Sequence, residues 1–216
     1  MTKPGLKILE VGCANSIWPH YFQTYHGASV DGIDYSEIGC RKTRVTWEEL
    51  GLGGTIHCAD LFNPPESLFG QYDMVVSFGV VEHFKDTEAC LTSCAKFLKP
   101  NGILFTMVPN MSGLAGQLQK IVDREVFDIH VPMTASELSA AHAPNILLVE
   151  TCEYFMSLNL DAINSSRFAE HYCNGIIRRA FSIPTKLVWL FEKHVCNLIA
   201  TRTFSPYIVS VARHRG

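Results

Sequence analysis

The chain has 216 residues, of which 47% are hydrophobic and 18% are charged, and its formal net charge is −3. This length and composition fit one globular domain and exclude a disordered chain, and no stretch approaches the roughly 20 apolar residues that span a bilayer. The eight cysteines include no Cys-x-x-Cys pair, which predicts a reducing, cytoplasmic setting without a zinc site or a disulfide framework.

The first 110 residues alternate short apolar runs with segments of helical pattern. Strands are predicted over 6–11, 29–33, 55–58, 72–78 and 103–108, and helices over 17–26, 36–50 and 86–98. Ser36 suits the N-cap of the second helix. Such alternation predicts a parallel sheet with helices on both faces, and ligands bind to such sheets at the carboxyl ends of the strands.

The second half adds two strands and two segments outside this alternation. A helix is predicted from Thr134, and strands are predicted over 146–154 and 204–212. The extra segments are 110–133 and 157–203. The second segment mixes aromatic with basic residues, namely Phe168, Tyr172, Phe181, Trp189 and Phe191 with Arg167, Arg178, Arg179, Lys186 and Lys193. Its helical spacing predicts a cap, and Pro184 is expected to divide it into at least two helices.

A glutamate and a glycine turn close the first predicted strand, where the sequence from Glu10 to Ser16 reads EVGCANS. A dinucleotide-binding turn has glycine where this chain has Ala14 and Ser16, because the backbone must approach a pyrophosphate there. The glutamate would repel a pyrophosphate and instead suits a ligand with an ammonium group. The motif alone also fits a tight strand-to-helix turn, and a nicotinamide-dependent Rossmann enzyme is the less favoured alternative.

Carboxylates also close the second and third predicted strands. Asp34 follows Gly12 by 22 residues, about the spacing at which a carboxylate binds a ribose diol in such folds. Asp60 can accept a hydrogen bond from an adenine amino group. Acidic residues at three successive strand ends therefore favour an adenosine ligand that also carries a positive charge.

These motifs, in this order, resemble the class I S-adenosylmethionine-dependent methyltransferase family. The similar segments are ILEVGCANS, GIDYS, CADL, YDMVVSFGVVEHF and LKPNGILF, and the resemblance covers roughly residues 5–155 and the final strand. Glu82, His83 and His130 resemble the branch with ubiquinone-pathway and other small-molecule O-methyltransferases. The resemblance implies one domain over 1–216 with a Rossmann-like, doubly wound, seven-stranded and mostly parallel sheet, and S-adenosylmethionine as cofactor.

The resemblance also implies which residues contact the cofactor. They lie at four successive strand ends: Glu10, Gly12, Cys13, Ala14, Asp34, Tyr35, Asp60, Leu61 and Phe78. Glu10 and the glycine turn would hold the methionyl part, Asp34 the ribose, and Asp60 with Leu61 the adenine. Phe78 would lie under the sulfonium.

Methyl transfer to a hydroxyl requires alignment with the sulfonium and a base that removes the proton. His83, after the fourth strand, and His130, in the expected substrate roof 110–133, are the candidate bases. His83 could instead cap a helix or bond a carbonyl, and His130 could lie on the surface. Glu82 could orient a histidine or bind a metal with it, but one Glu-His pair does not indicate a metal site, so none is expected.

The acceptor is expected to be an oxygen of a small hydrophobic, anionic or glycan-like molecule. Segment 157–203 is expected to cover the site, because relatives usually carry N-terminal helices there and the first predicted strand begins at residue 6. It also suits a homodimer surface or contact with a membrane or a lipid-linked substrate. Nucleic acid is not expected, because residues 1–156 carry 18 acidic against 10 basic residues. A non-catalytic binding protein of the same fold is the second alternative.

Overall fold

The computed structural model describes residues 5–163 and 174–216, with the backbone alone for 174–178. Its centre is a seven-stranded sheet of β1 (Lys7–Val11), β2 (Ser29–Asp34), β3 (Ile56–Cys58), β4 (Tyr72–Phe78), β5 (Leu98–Pro109), β6 (Leu147–Phe155) and β7 (Tyr207–His214). The strand order is β3-β2-β1-β4-β5-β7-β6, and β7 is antiparallel to both of its neighbours. The predicted doubly wound, mostly parallel sheet is therefore confirmed.

The helices of the described residues are α1 (Trp18–His26), α2 (Glu37–Glu49), α3 (Thr87–Ala95), α4 (Leu114–Val122), α5 (Arg124–Asp128), α6 (Ala135–Ala140) and α7 (Asn174–His194). The helix starts predicted at Ser36 and Thr134 are confirmed by their caps. The Ser36 hydroxyl accepts a hydrogen bond from the Gly39 amide, and Thr134 with Glu137 forms a capping box. These caps satisfy amide groups that the first turn of a helix leaves without a partner.

Two hydrophobic clusters cover the two faces of the sheet. Ile8 of β1 packs with Cys40 and Trp47 of α2 on one face. The next residue, Leu9, packs with Leu91 of α3 and Leu138 of α6 on the other face. Successive side chains of a strand point to opposite faces, so a strand buried on both sides has the continuous apolar sequence seen in β1.

The helix predicted over 86–98 ends earlier, at Ala95, and β5 begins at Leu98. Leu98 pairs with Tyr72, and the register then shifts before Met74 pairs with Ile103. Asn101 adopts a left-handed conformation with φ of 64°. The register shift and the left-handed Asn101 allow β5 to run through Lys99-Pro100-Asn101-Gly102, a sequence typical of the end of a helix.

The prediction that Pro184 divides the cap into two helices is wrong, because Pro184 lies inside α7. Proline removes the hydrogen bond to the carbonyl four residues earlier, which belongs to Ala180. Ala180 is exposed, so water can bond that carbonyl. Arg167, Phe168 and Tyr172 lie outside the described residues, as does the side chain of Arg178.

In the part of the chain that is described, no helix combines the length and apolar character needed to cross a bilayer.

A buried amide connects the end of β5 to the chain that leads into β7. Asn110 is almost fully buried, and its Nδ2 donates to the carbonyls of Arg202 and Ser205 at 2.8 Å. Burial makes an unpaired amide costly, so both bonds hold the extra segment against the sheet edge.

Replacing Gly12 with Ala should destabilise the fold by about 1–3 kcal/mol. Gly12 has φ of 76°, and an added Cβ would lie 2.3 Å from Val80 Cγ2. The matched control is Gly53→Ala, because a Cβ there meets only the end of the Gln23 side chain, at 4.0 Å, and φ is not left-handed. Urea denaturation measures both variants, and equal losses would contradict this account of the turn.

Candidate functional site

The three predicted carboxylates lie at one edge of the sheet. Glu10 precedes the last residue of β1, Asp34 ends β2, and Asp60 follows β3 by two residues. The Ala14 amide donates to Asp34 Oδ2 at 3.1 Å, and the Ala59 amide donates to the Asp34 carbonyl at 3.0 Å. Asp34 therefore connects the turn after β1 with the segment that carries Asp60.

Glu10 is buried beneath the turn with half of its carboxyl group unused. Its Oε1 accepts a hydrogen bond from the Ser16 hydroxyl at 2.6 Å, whereas Oε2 has no partner among the described residues. Burial raises the pKa of Glu10 to about 8, against a smaller lowering by the bond from Ser16. Ser16 thus supplies a partner that glycine could not, and Oε2 is available to a ligand donor.

The turn after β1 presents its backbone to the site. Cys13 is fully buried, and Cys13 Sγ would lie 2.5 Å from a Cβ added at Gly32. Ala14 packs against α2, where a Cβ added at Gly39 would lie 2.7 Å from the Ala14 Cβ. The Cys13 and Ala14 side chains fit because Gly32 of β2 and Gly39 of α2, which they approach, have no side chains. Cys13 can therefore reach a ligand only through its backbone.

The residues after β2 and β3 differ in what they offer. Asp34 Oδ1 accepts a hydrogen bond from the Ser36 amide at 2.8 Å, which fixes the carboxylate while leaving each oxygen a further lone pair. Tyr35 is 82% exposed, so its ring extends into solvent. Asp60 is exposed at the edge, whereas the Leu61 side chain belongs to the core.

An aromatic stack lies beside the end of β4. Phe78 stacks on Trp18 with ring centroids 4.6 Å apart and an interplanar angle of 17°, and it contacts Phe105 at 5.5 Å. Phe78 was a predicted site residue, whereas its stacking partner Trp18 was not. The signal for Trp18 is its place in the first turn of the helix that follows the glycine turn.

A cavity of about 490 Å³ adjoins Phe78. Its walls come from the ends of β4 and β5, from segment 110–133, from the 3₁₀ turn Leu160–Ala162 and from β7: Phe78, Gly79, Glu82, His83, Met107, Pro109, Met111, Gln119, Val126, Ile129, His130, Ala162 and Tyr207. Apolar groups predominate, and none of these lining residues is Lys or Arg. Two imidazoles and one carboxyl group are the titratable groups of this wall besides the Tyr207 phenol.

Both candidate bases line this cavity with a defined tautomer. His83 Nδ1 lies 3.1 Å from the Ile129 carbonyl oxygen, and His130 Nδ1 bonds the Val126 carbonyl oxygen. A carbonyl oxygen only accepts, so each Nδ1 carries a proton and each neutral ring has its lone pair on Nε2. The ring centroids lie 4.6 Å apart. Burial lowers the pKa of His130, and the neighbouring His83 lowers it further.

Glu82 completes the group on the same wall. It is almost fully buried, its Oε2 has no partner among the described residues, and burial raises its pKa to about 7. Its carbonyl accepts from the Val131 amide at 2.7 Å, which ties the roof segment to the end of β4. One ligand atom from each of Glu82, His83 and His130 lies within 4.8 Å of the others. The fold thus adds a third potential metal ligand to the Glu-His pair of the sequence.

A family model for the methyltransferase domain matches residues 2–149. The chain therefore belongs to the class I S-adenosylmethionine-dependent methyltransferase family, as its motif order predicted.

The resemblance to the ubiquinone branch is also confirmed. Ubiquinone biosynthesis O-methyltransferase of Pseudomonas aeruginosa is 29% identical over 106 residues, which cover 49% of this chain and 45% of that protein. The Erwinia tasmaniensis enzyme of the same name is 28% identical over 67% of this chain and 58% of its own length. The chain thus spans about half the length of these relatives.

Solved structures share the fold at low identity. Geranyl diphosphate C-methyltransferase from Streptomyces coelicolor, solved with Mg²⁺, geranyl diphosphate and S-adenosylhomocysteine, has a TM-score of 0.63 and 14% identity over 99% of this chain and 76% of its own. The [4+2]-cyclase SpnF has a TM-score of 0.64 and 16% identity over 98% and 75%. These neighbours carry different reactions, so the fold alone does not define the acceptor.

The Glu10→Gln variant should be more stable than the parent at pH 9, by at least about 1 kcal/mol. Because the folded-state pKa of Glu10 is raised from 4.5 to about 8, folding favours the protonated form. That contribution is present below about pH 4.5 and is lost as the pH rises towards 8. Glutamine keeps an acceptor for Ser16 without this loss.

Urea denaturation at pH 5 and pH 9 measures the effect, with Glu49→Gln at the exposed end of α2 as the control. The advantage of Glu10→Gln over the parent should shrink at pH 5. A difference between parent and variant that does not change with pH would contradict the burial of an ionisable carboxyl group at this position.

Proposed function

We propose that the chain transfers the methyl group of S-adenosylmethionine to a hydroxyl oxygen of an apolar, uncharged small molecule. The observation that carries this proposal is the cavity beside Phe78, whose wall holds the Nε2 lone pairs of two histidines. The family membership supports the cofactor, and the cavity supports the acceptor class.

The cofactor fits the edge of the sheet residue by residue. When bound, S-adenosylmethionine would supply a methyl group already activated on a sulfonium. Glu10 Oε2 would accept from its ammonium group, the backbone from Gly12 to Ala14 would hold the methionyl part, and Asp34 would bind the ribose hydroxyls. Asp60 and the Leu61 backbone would hold the adenine. The unpartnered, buried Oε2 of Glu10 is the feature of this chain that calls for a donor.

The acceptor class follows from the cavity wall. Met107, Pro109 and Met111 contribute apolar surface, and no Lys or Arg is among the lining residues that the structure describes, so these residues offer an anionic group no permanent counter-charge. A buried anion without a partner is costly, so an uncharged apolar acceptor fits better than an anionic one. Segment 110–133 would roof the acceptor, and the 157–203 cap contributes Ala162 to the same wall.

Three side chains would handle the proton of the acceptor hydroxyl. His130 is the preferred base, because its lowered pKa keeps the ring neutral near pH 7 and its Nε2 is the unprotonated nitrogen. His83 has the same tautomer and lies beside it. Glu82 would orient these rings or take part in relaying the proton, since burial brings its pKa to about 7. A role as metal ligands is the alternative for the same trio.

Asp34→Ala should weaken binding of S-adenosylhomocysteine by about 2–4 kcal/mol, because two charge-assisted hydrogen bonds to the ribose are lost. Isothermal titration calorimetry measures the affinity, with circular dichroism to check folding. Asp128→Ala, which removes an exposed carboxylate of α5, is the control and should leave the affinity unchanged. Unchanged affinity in Asp34→Ala, or binding of NAD instead of S-adenosylhomocysteine, would refute the cofactor assignment and favour the nicotinamide alternative.

Removing the true base should lower kcat by roughly 10²–10⁴-fold while cofactor affinity stays constant. His130→Ala and His83→Ala are compared with the exposed control His194→Ala, using labelled cofactor and a panel of apolar phenols and alcohols. In the parent, kcat should rise with pH through a value below 6.5, because the base acts in its neutral form and burial lowers the His130 pKa.

Chelation separates the base from the metal alternative. Turnover that survives EDTA, with the loss confined to one histidine variant, supports a general base. Turnover that EDTA abolishes and Mg²⁺ or Mn²⁺ restores would assign the trio to a metal ion instead. Intact cofactor binding with no turnover of any acceptor would favour the non-catalytic binding protein.

A further inference from the structure

The outward face of α7 is apolar and exposed. Ile183, Leu187 and Leu190 have 53%, 60% and 56% of their surface exposed, and Phe191 lies beside them. At about 100° per residue, the first three fall within about 60° of one another around the helix. We name these four residues the α7 apolar face. A helix on a folded domain normally turns such a stripe towards the core, so this orientation is unusual.

A row of cations borders one side of this face. Arg179, Lys186 and Lys193 are exposed and spaced seven residues apart, which aligns them along the helix. Glu192 is the only acidic residue between 174 and 199. Its side chain is half-buried and accepts from the Leu198 amide at 3.1 Å, on the side of α7 opposite the apolar face. The cation row and the apolar face therefore form one surface to which α7 itself contributes no carboxylate.

The inward face fixes α7 to the wall of the acceptor cavity. Thr185 is fully buried, and its Oγ1 accepts from the Leu160 amide at 3.0 Å. Trp189 Nε1 donates to the Leu158 carbonyl at 3.2 Å. The 3₁₀ turn that begins at Leu160 ends at Ala162, which lines the cavity. These bonds determine which side of the helix is turned outward.

We propose that α7 is a peripheral membrane anchor whose apolar face enters the headgroup region of an anionic phospholipid bilayer. Interfacial helices combine an apolar stripe with Lys and Arg at its border, and they lie in the plane of the membrane without crossing it. The charge of the surrounding sequence matches, since residues 157–216 carry 8 basic and 3 acidic residues. The cation row would lie at the level of the lipid phosphates. This proposal does not depend on the methyl-transfer reaction.

Flotation of the full chain with vesicles tests the anchor. The chain should bind vesicles of phosphatidylcholine containing phosphatidylglycerol more tightly than vesicles of phosphatidylcholine alone, and added NaCl should weaken this binding by screening the cations. The double variant Leu187→Glu with Leu190→Glu should lower the partition coefficient at least about tenfold, because two apolar side chains are replaced by anions. Lys186→Glu with Lys193→Glu should remove the preference for the anionic vesicles.

The matched control is the double variant Ile38→Glu with Val45→Glu, which adds the same two charges at apolar positions of α2 that are 64% and 50% exposed. It should bind vesicles like the parent, and circular dichroism melting confirms that each variant is folded. Absence of vesicle binding by the parent, or binding that both α7 double variants retain, would overturn the proposal. A dimer in light scattering that the leucine variant dissociates, together with no vesicle binding, would assign the face to a second copy of the chain.

Discussion

Parallel pairing of β1 with β2 and β4 is the constraint on which the site depends. It ends the three strands at one edge, where Glu10, Asp34 and Phe78 come together although they are far apart in the sequence. Beyond the last ladder bond, the backbone must find new partners, and the Gly12 amide does so by donating to the Ile33 carbonyl at 2.8 Å. That bond folds the turn after β1 back over the edge of the sheet. Glu10 is buried beneath this turn.

Burial of carboxyl groups gives the edge its chemical character. Glu10 and Glu82 are both almost fully buried and each keeps one oxygen without a partner among the described residues. A fold gains nothing from such groups in its own right, because desolvation penalises the charged form. Groups with strongly raised pKa values in a cleft are characteristic of functional sites. Glu10 lies beneath the turn after β1, and Glu82 lines the cavity that adjoins Phe78.

The sequence predicted what depends on strand ends and caps, and it missed what depends on contacts between distant segments. Asp34 and Ser36 could be assigned because a carboxylate and an N-cap follow a strand by fixed local rules. Ala14 fits in the turn only because Gly39 of α2 has no side chain. His130 comes close to Glu82 and His83 only because the chain after β5 folds back over the end of β4. Local rules also failed at Pro184, which lies inside α7 in a part of the helix where Ala180, four residues earlier, is exposed.

The segments outside the strand–helix alternation form walls of the cavity beside Phe78. A C-methyltransferase and a cyclase share the fold of this chain, so one fold accommodates different reactions. In this chain, the Glu82 carbonyl fixes the roof through the Val131 amide, and Thr185 fixes the 3₁₀ turn that carries Ala162. A small shift of the roof segment or of the turn would therefore move residues that line the cavity. If α7 lies on a bilayer, the bond from the Leu160 amide to Thr185 links the membrane-bound helix to the turn whose Ala162 lines the cavity.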